Sequence, residues 1–381
     1  MVPKGWSVKD LENICKMQAG KFVKASDIFN DQTINTYPCF GGNGLRGYTK
    51  TFTHDGLFSL IGRQGALCGN IKLVSNKFHA TEHAVVTTPF ENIDKMWLYY
   101  TLVDLNLNKY ATGQAQPGLS VKNLENIPVL TPDSFYEQQK IAKILSTWDK
   151  AISTTERLID NSTQQKKALM QQLLTGKKRL LDDNGERFEG EWSRTKISKL
   201  ITESRLEGTN GELAEKLTVK LYGRGVSAKD EKRLGSSSTK YYIRKSGQFI
   251  YSKLDFLNGA FGIVPPELDG YESTLDLPAF DFSEIVSAKW FLEFVSRKDF
   301  YKANLGLANG GRKARRVNPK DLLDVKIKLP SLKEQQKIAA VLTSADNEIE
   351  LLKQQLAHLQ QEKKALMQVL LTGKKRVMVE A

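Results

Sequence analysis

Two stretches of the chain carry their apolar residues at alternating spacings of four and three. The first seam runs Ile141, Leu145, Trp148, Ile152, Thr155, Ile159, Ser162, Lys166, Leu169 and Leu173. The second runs Ile338, Leu342, Ala345, Ile349, Leu352, Leu356, Leu359, Lys363, Leu366 and Leu370. A heptad seam kept for about five repeats predicts two long helices packed as a coiled coil. Each stretch has a start signal. Ser134-Phe135-Tyr136-Glu137 and Ser331-Leu332-Lys333-Glu334 match the S-x-x-E capping box, in which both side chains satisfy backbone N–H groups of the first turn. Each also has a stop signal, Gly176 or Gly373, suited to the left-handed position that follows a helix. Lys177, Lys178 and Arg179 come next, where a cation suits the negative end of the helix dipole.

The two stretches are copies of one another. Residues 137–142 read the same as 334–339, 166–171 as 363–368, and 173–179 as 370–376, all at a single offset of 197 without a gap. Upstream of each copy the chain diverges, although Trp6-Ser7 opens the first part and Trp192-Ser193 the second. The layout is therefore a first domain at 1–132, a long helix at 133–180, a second domain at 181–330, a second helix at 331–376 and a tail at 377–381. A duplicated frame around two unlike domains implies one structural job done twice and two different things recognised.

The first helix delivers the chain to the second domain, and a partner helix within the same chain must run back. The predicted fold is two mixed α/β (α+β) domains joined by two long antiparallel coiled-coil helices with pseudo-twofold symmetry. That register places Leu173 near Ile338, Ile159 near Leu352, Ile141 near Leu370 and Lys363 beside Trp148. An intermolecular coiled coil would satisfy the same seam. Helices of about 41 residues span ~60 Å, which is within two turns of B-DNA at ~34 Å each.

Within the domains, 57–61 and 84–88 read as strands and 94–105 as a helix. In the second domain 249–251 reads as a strand and 282–301 as mostly helical. Phe40-Gly41-Gly42-Asn43-Gly44-Leu45-Arg46-Gly47 satisfies both F-x-G-x-G and G-x-G-x-x-G. Such a loop cradles a cofactor only between a core strand and a helix. Residues 35–39 contain Pro38 and make a poor core strand, and 48–53 look like a strand instead of a helix. The stretch reads as a glycine-rich turn that presents Asn43 and Arg46.

Charge then narrows the partner. Fifty-six Lys and Arg against 43 Asp and Glu leave +13, which favours a polyanion such as nucleic acid or an anionic membrane. No run approaches the ~20 apolar residues of a spanning helix, and the first residues lack the apolar core of a secretory signal. Cys15, Cys39 and Cys68 have no C-x-x-C spacing and read as free thiols in a reducing compartment, the cytoplasm. His54, His79, His83 and His358 lack metal-site spacing, and no G-x-x-x-x-G-K-[ST] phosphate loop occurs. Catalytic, cofactor and metal residues are thus expected to be absent. What remains are basic and amide side chains in loops: Asn43, Arg46, Arg63, Gln64, Gln114 and Gln116 in the first domain. The second domain offers Lys220, Arg224, Lys253, Arg312, Lys313, Arg315 and Arg316. Arg, Asn and Gln pair with base edges, while Lys mostly holds phosphates.

The twin segments resemble the repeat helices of type I restriction-modification specificity subunits. Ile61-Gly62-Arg63-Gln64-Gly65-Ala66, Ala80-Thr81-Glu82-His83-Ala84-Val85-Val86 and Asn258-Gly259-Ala260-Phe261-Gly262 resemble that family's target-recognition domains. The resemblance covers essentially the whole chain. It implies a non-catalytic subunit whose domains each read one half of a bipartite site on double-stranded DNA. It also implies helices that set the spacing and dock two methyltransferase subunits, with restriction subunits (motor and nuclease) joining them. S-adenosylmethionine, ATP and magnesium would belong to those partners. Two other readings differ in kind: a self-contained methyltransferase, and a coiled-coil scaffold that touches no DNA.

Overall fold

The computed structural model describes residues 2–377 apart from 66, 114–116, 231–234, 298, 301–307 and 310–315. The chain forms two compact units, Met1–Arg157 with Lys353–Ala381, and Leu158–Leu352. The helices are α1 (Lys95–Asp104), α2 (Val121–Glu125), α3 (Phe135–Leu173), α4 (Ala288–Val295), α5 (Pro319–Leu323) and α6 (Leu332–Leu370). Each unit thus takes one globular domain and half of each long helix.

The long helices α3 and α6 each have 39 residues. Only half of each capping box forms. Ser134 Oγ accepts from the Glu137 N–H and Ser331 Oγ from the Glu334 N–H, both at 3.3 Å. The glutamates turn away instead. Glu137 accepts from Arg376 Nε and Nη2 at 2.6 and 2.8 Å, and Glu334 from Arg179 Nε and Nη2 at 2.5 and 2.9 Å. A guanidinium fork offers two charge-assisted bonds where the box offers one amide. For the same reason Arg179 reaches across to the other helix. Gly176 and Gly373 do take left-handed backbone, at φ +72° and +64°.

Within each unit the helices run antiparallel. In the first, Glu137 pairs with Arg376 and Asp149 with Lys363, so a forward step on α3 is a backward step along α6 and the segment that follows it. In the second, Arg179 pairs with Glu334 and Lys166 with Asp346. Ile141, Leu145, Leu173, Ile338, Leu342, Ile349 and Leu370 are buried. Trp148, Ile152, Ile159, Leu169, Leu352, Leu356, Leu359 and Leu366 are half-buried. Ile141 shares a core with Leu370, and Leu173 with Ile338. The Lys363 ammonium has partners that the seam did not predict. It lies 2.5 Å from Asp149 and 5.3 Å over the Tyr100 ring, because a carboxylate within reach attracts it more than the Trp148 ring face does.

The two domains repeat one topology. The central sheet of the first is Cys15–Ala19, Ala84–Pro89, Phe58–Gly62, Ile71–Val74, and that of the second is Ile201–Ser204, Ala279–Phe282, Phe249–Tyr251, Phe261–Ile263, both antiparallel. Two corrections belong here. Tyr37–Gly41 is an interior strand, pairing with Gly44–Thr49 on one side and with Lys77–Ala80 on the other. Pro38 is tolerated because the second pairing involves only Cys39 and Phe40. The stretch 282–301 is less helical than its pattern, since Phe282 ends a strand and α4 begins only after its cap, Ser287. All three cysteines are free and buried, and burial pushes the Cys15 thiol up to about 12.

Repeat residues fasten each domain to the helices. Gln138 accepts from the backbone N–H of Asp94, the α1 cap, at 2.8 Å and donates to the Asn92 and Pro132 carbonyls. Gln335 does the same for Ser287, the α4 cap, at 2.8 Å, and for Ile285 and Pro330. Beneath these caps α1 buries Trp97, Leu98 and Leu102 against Ile141, Leu145 and Leu370. In the other unit α4 buries Trp290, Phe291 and Val295 against Leu173, Ile338 and Leu342. Full burial of each such side chain stabilises by roughly 1.5–3 kcal/mol.

Candidate nucleic-acid interface

In the first domain, Tyr37–Gly41 and Gly44–Thr49 form a hairpin whose turn is Gly42-Asn43, with Gly41 opposite Gly44. A strand follows the glycine-rich stretch, where a cofactor-cradling loop would lead into a helix. The tip is pressed onto the central sheet, where any side chain on Gly62 would collide with the Gly42 carbonyl oxygen. This close approach requires glycine and fixes the tip through its main chain. Asn43 and Arg46 are exposed, and the Arg46 stem crosses Gly41. Under the tip, Cys39 is buried, which raises its thiol pKa, while the Arg46 charge pulls the other way. Beside the tip lies a cleft of about 400 Å³ whose lining includes Asn43, Asn70, Lys72, Tyr99 and Asn106. Its amides and ammonium suit a neutral or anionic polar group.

The second domain builds the same feature at the same place. Its hairpin joins Leu217–Val219 to Val226–Ala228. In both domains the hairpin's first strand lies parallel to the short strand that precedes the long central one. The bridges are Cys39 to His79 and Lys216 to Glu272. The tip is held by main-chain bonds: Lys220 N–H to the Gly225 carbonyl at 2.8 Å, Tyr222 N–H to Asn258 at 2.9 Å and Gly223 N–H to Gly259 at 2.8 Å. A side chain on Gly259 would sit 3.3 Å from Tyr222 Cα. Lys220, Tyr222 and Arg224 are exposed. One sheet position therefore carries an outward tip twice, with different side chains.

A family model described as Type I restriction modification DNA specificity domain matches residues 3–161 and 291–361, more than half of the 381 residues. The chain belongs to this family. It is 46% identical over 142 residues to the type I restriction enzyme EcoprrI specificity subunit of Escherichia coli, a match spanning 37% of this chain and 35% of that one. It is 26% identical to the MjaVIII specificity subunit of Methanocaldococcus jannaschii, over 99% of this chain and 94% of that one. Two solved structures share the fold. A type I restriction-modification S subunit from M. genitalium gives a TM-score of 0.63 at 14% identity, covering 100% of this chain and 97% of that one. A chain from a study of complex assembly and conformational transition in the type I R-M system gives 0.56 at 13%, covering 98% and 100%.

This specificity subunit is the DNA-recognition component of a type I restriction-modification system and not its catalytic one. Among its described residues no cluster of three His, Cys, Asp or Glu side chains could hold a metal ion. Nor is any described helix long and apolar enough to cross a membrane.

The other candidate contacts are placed unevenly. Arg63 and Gln64 follow Gly62 directly, so the first tip and this pair meet at one point. Gln64 is exposed, but Arg63 is half-buried and donates to the Leu119 and Glu82 carbonyls at 3.3 and 3.4 Å. Arg63 therefore braces the loop more than it offers a free fork. In the second domain Lys220 and Arg224 share the tip. Lys253 and Arg316 gather elsewhere, around Asp276, which pairs with Arg316 at 2.8 Å and whose carbonyl accepts from the Lys253 N–H. Gln114, Gln116, Arg312, Lys313 and Arg315 lie outside the described residues. Sequence reasoning missed Tyr222, whose signal was an aromatic residue between a lysine and a Gly-Arg-Gly turn.

Proposed function

We propose that each domain of the specificity subunit reads one half of a bipartite site on double-stranded DNA. The paired helices set the gap between the halves and dock two methyltransferase subunits. Restriction subunits join that core in the cytoplasm, and S-adenosylmethionine, ATP and magnesium act on those partners. The observation that carries this reading is the twin hairpin tip, fastened to the same sheet position in each domain and bearing unlike side chains. A common mount with different side chains is what two half-sites of different sequence require, since base identity is read by side chains in the groove. The surplus of 13 positive charges supplies attraction to the backbone phosphates.

The test is domain exchange. Replacing residues 192–329 with the matching part of another specificity subunit, then mapping methylated sites across the genome, should alter one half of the motif and leave the other half and the gap. Inserting a heptad into both helices should change the gap alone. A motif altered in both halves by the exchange would sink the reading.

A further inference from the structure

We infer that Tyr222 is a DNA-stacking, specificity-determining residue of the second domain; this rests on the function proposed above and names one residue that performs it. Tyr222 has φ +61°, a conformation in which a bulky side chain crowds its own backbone. Its neighbours Gly223 and Gly225 adopt φ +68° and +79° without that strain, because they lack a side chain. A loop that needed only to turn would carry glycine at 222 as well. Packing does not account for the tyrosine either, since it remains 76% exposed.

The strain is held by the fold. The Tyr222 and Gly223 N–H groups are anchored on the Asn258 and Gly259 carbonyls, so the main chain that carries the exposed ring is held in place. Strained residues kept in place by their surroundings cluster where a protein meets its ligand. The neighbours supply the ligand's chemistry. Lys220 and Arg224 are exposed on the same tip, giving two cations for phosphates beside one ring that can pack on a sugar or wedge into a base step. The equivalent tip of the first domain turns through Gly42-Asn43 and carries no ring. One domain is thus equipped to hydrogen-bond base edges through an amide, and the other to stack.

The test is selection from a pool of random-sequence duplexes at about 0.1 M salt, using the full chain and two variants, Tyr222→Phe and Tyr222→Gly. Wild type should enrich a two-part motif, and Tyr222→Phe should enrich the same one. Tyr222→Gly should keep one part, blur the other and bind the enriched duplex about 5- to 100-fold more weakly. Its unfolding temperature should hold or rise, because glycine relaxes the left-handed backbone. Unchanged affinity and motif in Tyr222→Gly would overturn the inference and point to a protein partner for the ring. A lower unfolding temperature would overturn it too, making the tyrosine a structural residue. If wild type itself enriches no two-part motif, the proposed function fails, whatever Tyr222 does.

Discussion

Lys363 and Lys166 occupy the same position of the repeat, yet the two units meet them differently. In the first unit Lys363 pairs with Asp149, which also accepts the Tyr100 hydroxyl at 2.7 Å. In the second, Lys166 pairs with Asp346 at 2.7 Å and Glu293 at 3.4 Å. Tyr100 and Glu293 each lie six residues beyond the cap of their helix, Asp94 or Ser287. The aspartate and lysine belong to the duplicated helices and stayed alike, while the third partner comes from a diverged domain and changed. One lysine therefore balances one carboxylate in the first unit but faces two in the second. Glu293 is held above the usual carboxyl range by its burial and by Asp346, against the pull of Lys166 and Lys289. Burial and the bond to Asp149 likewise push the Tyr100 hydroxyl above its ordinary range.

The helix ends offer the largest effect with which to probe this inequality. Arg179, with its side chain 20% exposed, holds a Glu334 carboxylate that also accepts the Trp192 indole N–H at 3.1 Å. Arg376 is 44% exposed, and the buried Trp6 indole N–H beside it has no partner. Arg179→Ala should cost about 3 kcal/mol by stranding a buried carboxylate. Arg376→Ala should cost about 1–2 kcal/mol, because water can replace the cation there. Amide exchange in the first turns of α6 and α3 would report each loss, and equal losses would break the comparison.

The terminal glycines give a smaller contrast. An alanine at either would sit in left-handed backbone at a cost of about 1 kcal/mol. At Gly373 its side chain would also come within 2.8 Å of Pro3 Cγ, whereas at Gly176 its nearest neighbour is the Trp192 ring at 3.4 Å. Gly373→Ala should therefore destabilise by about 2 kcal/mol and Gly176→Ala by about 1 kcal/mol in urea titrations. Reversal of that order would remove steric closeness as the cause.

The smallest effect is the dependence on acidity. Native Glu293 keeps its proton to higher pH than the unfolded chain does. The second unit should therefore lose stability as pH climbs from the ordinary carboxyl range through the raised one, and stay level above it. Glu293→Gln should abolish that slope, read as the difference in unfolding midpoint between variant and wild type at several pH values. Tyr100, which stands at the matching place in the first unit, should add no slope there, since its raised hydroxyl destabilises only above the ordinary tyrosine range. A difference that does not vary with pH would remove Glu293 as the source.

The long helices were legible in the sequence because their signals are local: a seam of period 3.5, a serine before the first turn and a glycine after the last. The partners of Glu137, Gln138 and their copies were not. Gln138 meets Asp94 at a separation of 44 residues and Glu137 meets Arg376 at 239, distances over which no periodicity carries information. Pro38 misled for a related reason, since its penalty depends on how far the neighbouring strand extends. Asn43 and Arg46 were singled out by a glycine-rich motif, but the place they share with Lys220 and Arg224 emerged only from the sheet order.

Each hairpin tip is secured by carbonyls, amides and glycines, so exchanging one outward side chain for another at 43 or 222, glycine apart, hardly enters the free energy of folding. Most replacements elsewhere must first survive the stability threshold that weeds out damaged cores. Changes at these two positions largely escape that filter, so a lineage can try new residues there one mutation at a time while the scaffold beneath is inherited unaltered.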